Sequence, residues 1–162
     1  MRILGLDPGS RRTGVGIIEG EKLIHAETLK LGGGPMPERL GLIFVGVQRL
    51  VDEYRPEVAA VETVFMSRNA QAAIKLGQAR GAAICAVVGA GLAVHEYAPR
   101  AIKQAIVGRG GAGKEQVQHM IRALMKIDVD LGEDAHDALA VALCHHHTAQ
   151  TASRLPPGVV LR

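Results

Sequence analysis

The chain has no tryptophan, and only two phenylalanines and two tyrosines among its 162 residues. Its 48% hydrophobic content therefore comes mostly from Ala, Val, Leu and Ile. That is ample apolar material to bury a core in one domain of ordinary size. Cysteine is equally scarce. Cys85 and Cys144 are the two present, which excludes a disulfide framework and points to a reducing cytoplasm. Both lie in apolar helical patterns and read as buried free thiols. Long apolar runs are missing too. The longest, Gly81 to Val94, has 14 residues, short of the roughly 18–20 needed to span a bilayer. "MRILGLDPGS" lacks the apolar centre of a signal peptide. No internal repeat is present, and the 20 glycines are too dispersed for a low-complexity chain.

What is present begins with three short apolar runs. "RILGLD" ends in Asp-Pro-Gly, a strong turn signal, and "TGVGIIEG" and "KLIHAETLKL" follow after short gaps. Connections that short make the three strands antiparallel neighbours, because a parallel crossover needs a dozen or more residues. Leu40, Ile43, Phe44, Val47, Leu50 and Val51 then recur at helical spacing until Pro56. "VAAVE" (58–62) is a buried-type strand, a helix covers about 69–88, and "LAVHEY" (92–97) is a further strand. Val117, Met120, Ile121, Leu124 and Met125 mark another helix, and a last one covers roughly 132–149. The order β-β-β-α-β-α-β-α-α predicts an α/β fold, a mixed five-stranded sheet with helices on both faces. One domain over 1–150 and a flexible tail over 151–162 are expected.

The acids are the most informative residues. Asp7 and Glu62 fall at the C-terminal ends of predicted strands, where sheets of this kind gather their sites. Asp134 and Asp137 stand three apart at a helix start, which places both on one face. Each alone reads as a turn residue or cap. Together, partly buried and mutually repelling, they need a divalent cation, and hard oxygen donors select Mg²⁺ or Mn²⁺. Two such ions bridged by a shared carboxylate are a device for in-line displacement at phosphate. The net charge is +3, and setting these four acids aside leaves 19 Lys and Arg against 12 Asp and Glu. An anionic hole in a cationic surface suits a nuclease.

"VGRGGAGKEQV" (107–117) comes within one residue of a nucleotide-binding loop, with Glu115 where Ser or Thr should bind magnesium. It lies late in the chain, and Glu115 would repel a triphosphate. A flexible glycine loop with a solvated lysine is one alternative. Helix-start N–H groups and Lys114 gripping a DNA phosphate is the other.

"ILGLDPGSRRTGVGII", "VETVFMSRNAQAAIKLGQARG", "YAPRAIKQAIVGRGGAGKEQVQHM" and "DAHDALAVAL" closely resemble the RuvC-type Holliday junction resolvases of bacteria over about residues 2–148. The resemblance implies an RNase H-like fold, a homodimer, and Mg²⁺- or Mn²⁺-dependent symmetric nicking of four-way DNA junctions, leaving 5′-phosphate and 3′-hydroxyl. It also implies branch-migration helicase partners of the RuvA and RuvB type. The family's acidic tetrad carries over onto Asp7, Glu62, Asp134 and Asp137, with Asp7 bridging two ions. Some relatives place a histidine within the tetrad, so the part of His136, beside Asp137, stays open. Lys103 and Lys114 match basic residues near the reaction centre.

Phe65 and Met66, following Glu62, are candidates for a wedge at the crossover or for core. Arg68, Lys75, Arg80, Arg100, Lys103, Arg109 and Lys114 are candidate DNA contacts. Gly77 and Gly81 in the Ala-rich helix suggest close approach of a partner, the same helix across a twofold axis. Three consecutive histidines, 145–147, cannot all face one ion on a helix. Two other functions fit parts of the pattern. "GLDPGS" also resembles the phosphate loop of actin-like kinases, which need a second domain. A catalytically silent junction binder would gain nothing from four acids.

Overall fold

The computed structural model describes residues 1–63 and 69–154. Within them the order is β1 (Arg2–Pro8), β2 (Arg12–Glu19), β3 (Lys22–Lys30), α1 (Met36–Tyr54), β4 (Val58–Glu62), α2 (Ala70–Gly89), β5 (Ala93–Tyr97), α3 (Pro99–Val107), α4 (Lys114–Met125) and α5 (Glu133–Arg154). The strands form one sheet in the order β3-β2-β1-β4-β5. β1, β2 and β3 are joined by short turns and pair antiparallel. β4 and β5 each follow a helix and pair parallel, β4 with β1 and β5 with β4. This is the mixed five-stranded sheet that the connection lengths require.

Strand alternation sorts the residues to two faces. Leu4, Leu6, Val15, Ile17, Ala59 and Val61 pack against α1 and α2, meeting Ile43, Val47 and Leu50 of the first and Ala79, Ala83 and Val87 of the second. Ile3, Ile18, Val58 and Ala60 pack against α3, α4 and α5. On that second face β1 and β2 carry glycines where α5 crosses. A Cβ on Gly5 would overlap the Ala138 carbonyl, one on Gly14 the Asp134 carbonyl, and one on Gly16 would lie 2.7 Å from the Leu139 side chain. The absent side chains let α5 lie nearly on the backbone of the sheet.

Three expectations need correction. α3, a nine-residue helix, was missed by reading 98–107 as connection. Its signals are short but physical: Pro99 in the first turn, Ile102 and Ile106 buried one turn apart, and Gly108 at φ 75° closing the helix. α5 runs on to Arg154, so the first four residues of the expected tail are helical; residues 155–162 lie outside the described residues. Cys144 is buried, but Cys85 is exposed. α2 is apolar on its outward side as well as its inward one, with Ile74 and Val88 also exposed, so an apolar sequence there could not tell inside from outside.

Candidate active site

Sheet register delivers the first two acids. Leu6 and Val61 are partners in the parallel β1–β4 pair, and Asp7 and Glu62 are the next residues on each strand. Alternation turns both towards the α5 face, with Ile3 and Gly5 preceding Asp7, and Val58 and Ala60 preceding Glu62. Asp7 is also the cross-strand partner of Gly14, the glycine over which Asp134 lies. α5 thus brings its first two turns, with Asp134 and Asp137, down onto the ends of β1 and β4.

The electrostatics report the convergence. The Asp7 carboxyl is pushed up from 3.8 to about 7, by burial first and then by the charges of Asp137, Glu62 and Asp134. Glu62 is raised by burial and by Asp137, with Lys103 and Lys114 pulling the other way. Asp137 is raised as well, because burial outweighs its lysine partner. One cation reaches into the group. Lys114 Nζ lies 2.8 Å from Asp137 Oδ2 and 2.7 Å from Glu133 Oε1. Burial works against its charge, yet bonds to those two carboxylates hold the ammonium well above the usual lysine value.

A cleft of about 260 Å³ opens beside these groups, lined by Glu62, Lys103, Lys114 and Asp137 and walled by Pro99, Ile102, Val117 and Ala140. Asp134 looks the other way, into a neighbouring groove of about 360 Å³ shared with Arg12, Thr28, Lys30 and Glu133. Asp7 sits between the two. The four carboxylates, partly buried and outnumbering the cations among them, suit a hard divalent cation. Among the described residues no three His, Cys, Asp or Glu side chains are already closed tightly enough to hold an ion; the Lys114 ammonium supplies the counter-charge there.

The other sequence candidates divide by location. Lys103 lines the acid cleft. Arg100, Arg109 and Lys75 are exposed, Arg100 lying across Gly110 and Lys75 projecting from α2. Arg80 is turned inward, its Nε donating to the Glu62 carbonyl at 3.2 Å and its Nη2 paired with Glu96 at 2.7 Å. Phe65, Met66 and Arg68 lie outside the described residues. His136 is 5% exposed, donates from Nδ1 to the Gly132 carbonyl, and lines a third pocket with Gln118 and Arg122, away from the acid cleft.

In the glycine loop, four N–H groups are already committed: Gly108 to the Gln104 carbonyl, Gly110 to Gln104 Oε1, Ala112 to the Arg109 carbonyl and Gly113 to Gln116 Oε1. The lysine, not the loop amides, reaches the acids. Histidines 145–147 diverge, His145 towards Tyr97 and His147 towards Ala105 and Glu21. Tyr54 stacks on His25. Sequence reading missed Glu133, whose only signal was an extra acid in the first turn of α5.

Known proteins match this chain over nearly its whole length. The family described as crossover junction endodeoxyribonuclease RuvC matches residues 3–145. A relative of that name from Alkalilimnicola ehrlichii is 53% identical over 158 residues, covering 95% of this chain and 96% of its own length. Another from Methylococcus capsulatus is 55% identical over 157 residues, with 95% of each covered. Among solved structures, Thermus thermophilus RuvC in complex with a Holliday junction superposes with a TM-score of 0.88 at 36% identity, covering 94% of this chain and 97% of that one. The sheet and its two helical layers are therefore the RNase H-like resolvase fold, and the chain belongs to the RuvC family of crossover junction endodeoxyribonucleases.

Proposed function

We propose that the protein is a metal-dependent endonuclease that resolves four-way DNA junctions through paired symmetric nicks. The observation that carries this reading is the convergence of Asp7, Glu62, Asp134 and Asp137 at the ends of β1 and β4 and the start of α5, where burial and then the neighbouring acids lift Asp7 to about 7. Asp7, central to the group, with Glu62, Asp134 and Asp137, would hold the divalent cations. Two Mg²⁺ or Mn²⁺ ions bound there supply Lewis-acid charge for in-line displacement at phosphorus.

The chain's own groups do the rest. Lys114 lines the cleft, where its charge would face an incoming phosphate, and Glu133 gives it a second carboxylate partner beside Asp137. Lys103 adds a second positive charge on the same wall. Pro99, Ile102 and Val117 add apolar surface to that wall. Phe65 and Met66, in the segment after Glu62, are assigned to the crossover, and Arg68, Lys75, Arg100 and Arg109 to the DNA backbone. Arg80, bonded inward, is not retained among these contacts.

Two matched nicks call for two sites in symmetric register, which a twofold homodimer supplies. The outward side of α2 suits that contact. Ile74 is 61% and Val88 56% exposed, and a Cβ at Gly77 or Gly81 would meet nothing within 4 Å. Those two glycines therefore serve no packing within the described chain, although each costs the helix about 1 kcal/mol. Branch-migration helicase machinery of the RuvA and RuvB type is the further partner that family membership suggests.

The test is a nicking assay on a synthetic four-way junction beside a linear duplex of the same sequence, with and without Mg²⁺ or Mn²⁺. Cutting confined to the junction and to cation-containing reactions supports the assignment. Equal cutting of both DNAs would reduce it to a general nuclease.

A further inference from the structure

Arg80 was expected to contact DNA and instead faces its own active site. It stands midway along α2, next to Ala79, which is fully buried against the sheet. From there the guanidinium reaches the C-terminal end of β4. Nε donates to the main-chain carbonyl of Glu62 at 3.2 Å, and Nη2 pairs with Glu96 of β5 at 2.7 Å. The Arg80 side chain is 20% exposed and that of Glu96 49%, so the ion pair is partly open to water at its Glu96 side. A planar guanidinium holds two acceptors in fixed relation, which a lysine cannot do.

The carbonyl it holds belongs to the last residue of β4. Beyond that point the sheet fixes the chain once more, through Thr63 N–H to the Tyr97 carbonyl at 2.8 Å. A strand end is where a ladder frays, and Glu62 is placed there because its carboxylate must project past the sheet. Its direction depends on the backbone beneath it. Arg80 ties that backbone to a helix on one side and to the neighbouring strand, through Glu96, on the other.

We propose that Arg80 is a positioning residue for Glu62: its bond to the Glu62 carbonyl, braced by Glu96, sets the direction of the carboxylate in the acid cleft. The inference rests on the reading of Glu62 as a cation ligand. Because Arg80 rides on α2, the helix assigned to the dimer contact, it also joins the dimer face to the reaction centre by a single side chain.

The experiment compares Arg80→Met, Arg80→Lys and Glu62→Gln in single-turnover nicking of a saturating four-way junction, with junction affinity, thermal midpoint and Mg²⁺ dependence measured on each. Arg80→Met is expected to lower the nicking rate constant roughly 10- to 100-fold, the scale of a displacement of about an ångström at a reacting group. Its half-maximal Mg²⁺ concentration should rise while junction affinity stays within about twofold. Arg80→Lys, able to satisfy one acceptor but not both, should fall between Met and the natural residue.

Weakened junction affinity with an unchanged rate constant would make Arg80 a DNA contact and overturn the inference. A lower thermal midpoint with unchanged rate constant and Mg²⁺ dependence would make it a plain structural brace, with the same consequence. Glu62→Gln separates the two layers. If it is inactive while Arg80→Met is fully active, only the positioning role fails. If it nicks at the natural rate, the assignment of Glu62 fails and takes the positioning role with it.

Discussion

Helix α5 carries two groups of ionisable side chains, a half-buried one at its start and a buried one just past its middle, and they are built on opposite principles. At its start, Asp134 and Asp137 join Asp7 and Glu62, like charges crowded together with one lysine among them. Further along, His145 is 5% exposed, bonds through Nδ1 to the Tyr97 hydroxyl at 2.7 Å and lies 4.4 Å, ring to ring, from His95. Burial, then the neighbouring His95 and His146, push its pKa down to about 4. It is neutral and satisfied. The histidine group resolves the cost of burial by giving up charge and pairing with a hydroxyl. The acid group resolves nothing on its own. A buried group that is satisfied within the chain is architecture, and one left in want of positive charge is a site waiting for something to bind.

The sharpest way to break this contrast is Asp7→Asn, which removes the central charge and keeps the shape. Nicking should fall at least roughly 10³-fold, the scale for loss of a central electrostatic group, with junction binding retained in a gel-shift assay. The thermal midpoint in chelator at pH 8 should rise, since the substitution relieves a carboxylate that the fold holds unwillingly. Mg²⁺ or Mn²⁺ should raise the midpoint of the natural protein and do so far less for the variant. A natural protein indifferent to cations would show that the acids do not form a cation site.

The histidine end should answer in the opposite way. His145→Ala removes a buried ring and leaves the Tyr97 hydroxyl without its partner, at a cost of about 2–4 kcal/mol by chemical denaturation. The nicking rate per folded molecule should stay as it was, because His145 lines none of the cleft around Glu62 and Asp137. A large loss of rate without loss of stability would mean that the two ends are coupled.

The pH dependence of stability sharpens the same point, and its sign differs between the ends. Asp7 binds its proton more tightly folded than unfolded, so its contribution is present below about pH 4 and is lost as pH rises through about 7. His145 binds its proton more weakly when folded, so its contribution is present above pH 6.5 and is lost as pH falls towards 4. The two slopes, each at most about 1.4 kcal/mol per pH unit, oppose each other in the natural protein. In chelator, denaturation from pH 4 to 7 should show stability climbing with pH in Asp7→Asn and declining in a His145→Phe variant. Parallel curves for the two variants would contradict the contrast.

The acid end was legible in the sequence for reasons the histidine end did not share. Asp7 and Glu62 close apolar runs that can only be buried strands, and Asp134 and Asp137 repeat at the spacing of one helical face. Local chemistry therefore announced that the four acids belonged together. His145 and Tyr97 are 48 residues apart, and neither sits in a pattern that names the other; only the packing of α5 behind β5 brings them into contact. The inward turn of Arg80 was hidden for the same reason. An arginine on an Ala-rich helix looks solvated until tertiary structure places two acceptors beneath it. α3 escaped because nine residues hold only two buried positions, too few for a periodicity. Exposed Cys85 misled in the other direction, since the outward side of α2 is apolar as well as its inward one.

Glu133 gives the smallest effect and the finest test, because it stands just outside the acid group and is exposed to water. It shares the Lys114 ammonium with Asp137 at nearly equal distances, 2.7 and 2.8 Å. That bond holds the Glu133 carboxyl below its usual range. In Glu133→Gln the lysine loses its outer partner and leans wholly on Asp137, where it competes with any cation seeking the same oxygens. The half-maximal Mg²⁺ concentration for nicking should rise about two- to fivefold, as befits an exposed pair, while the rate at saturating Mg²⁺ stays close to that of the natural protein. Glu133→Asp should recover part of the shift. In a Lys114→Met background the Glu133 substitution should produce no such shift, because the competing ammonium is gone. A shift of equal size in both backgrounds would assign the effect to the lost negative charge of Glu133 itself, and Lys114 would no longer count as the cation that guards the site.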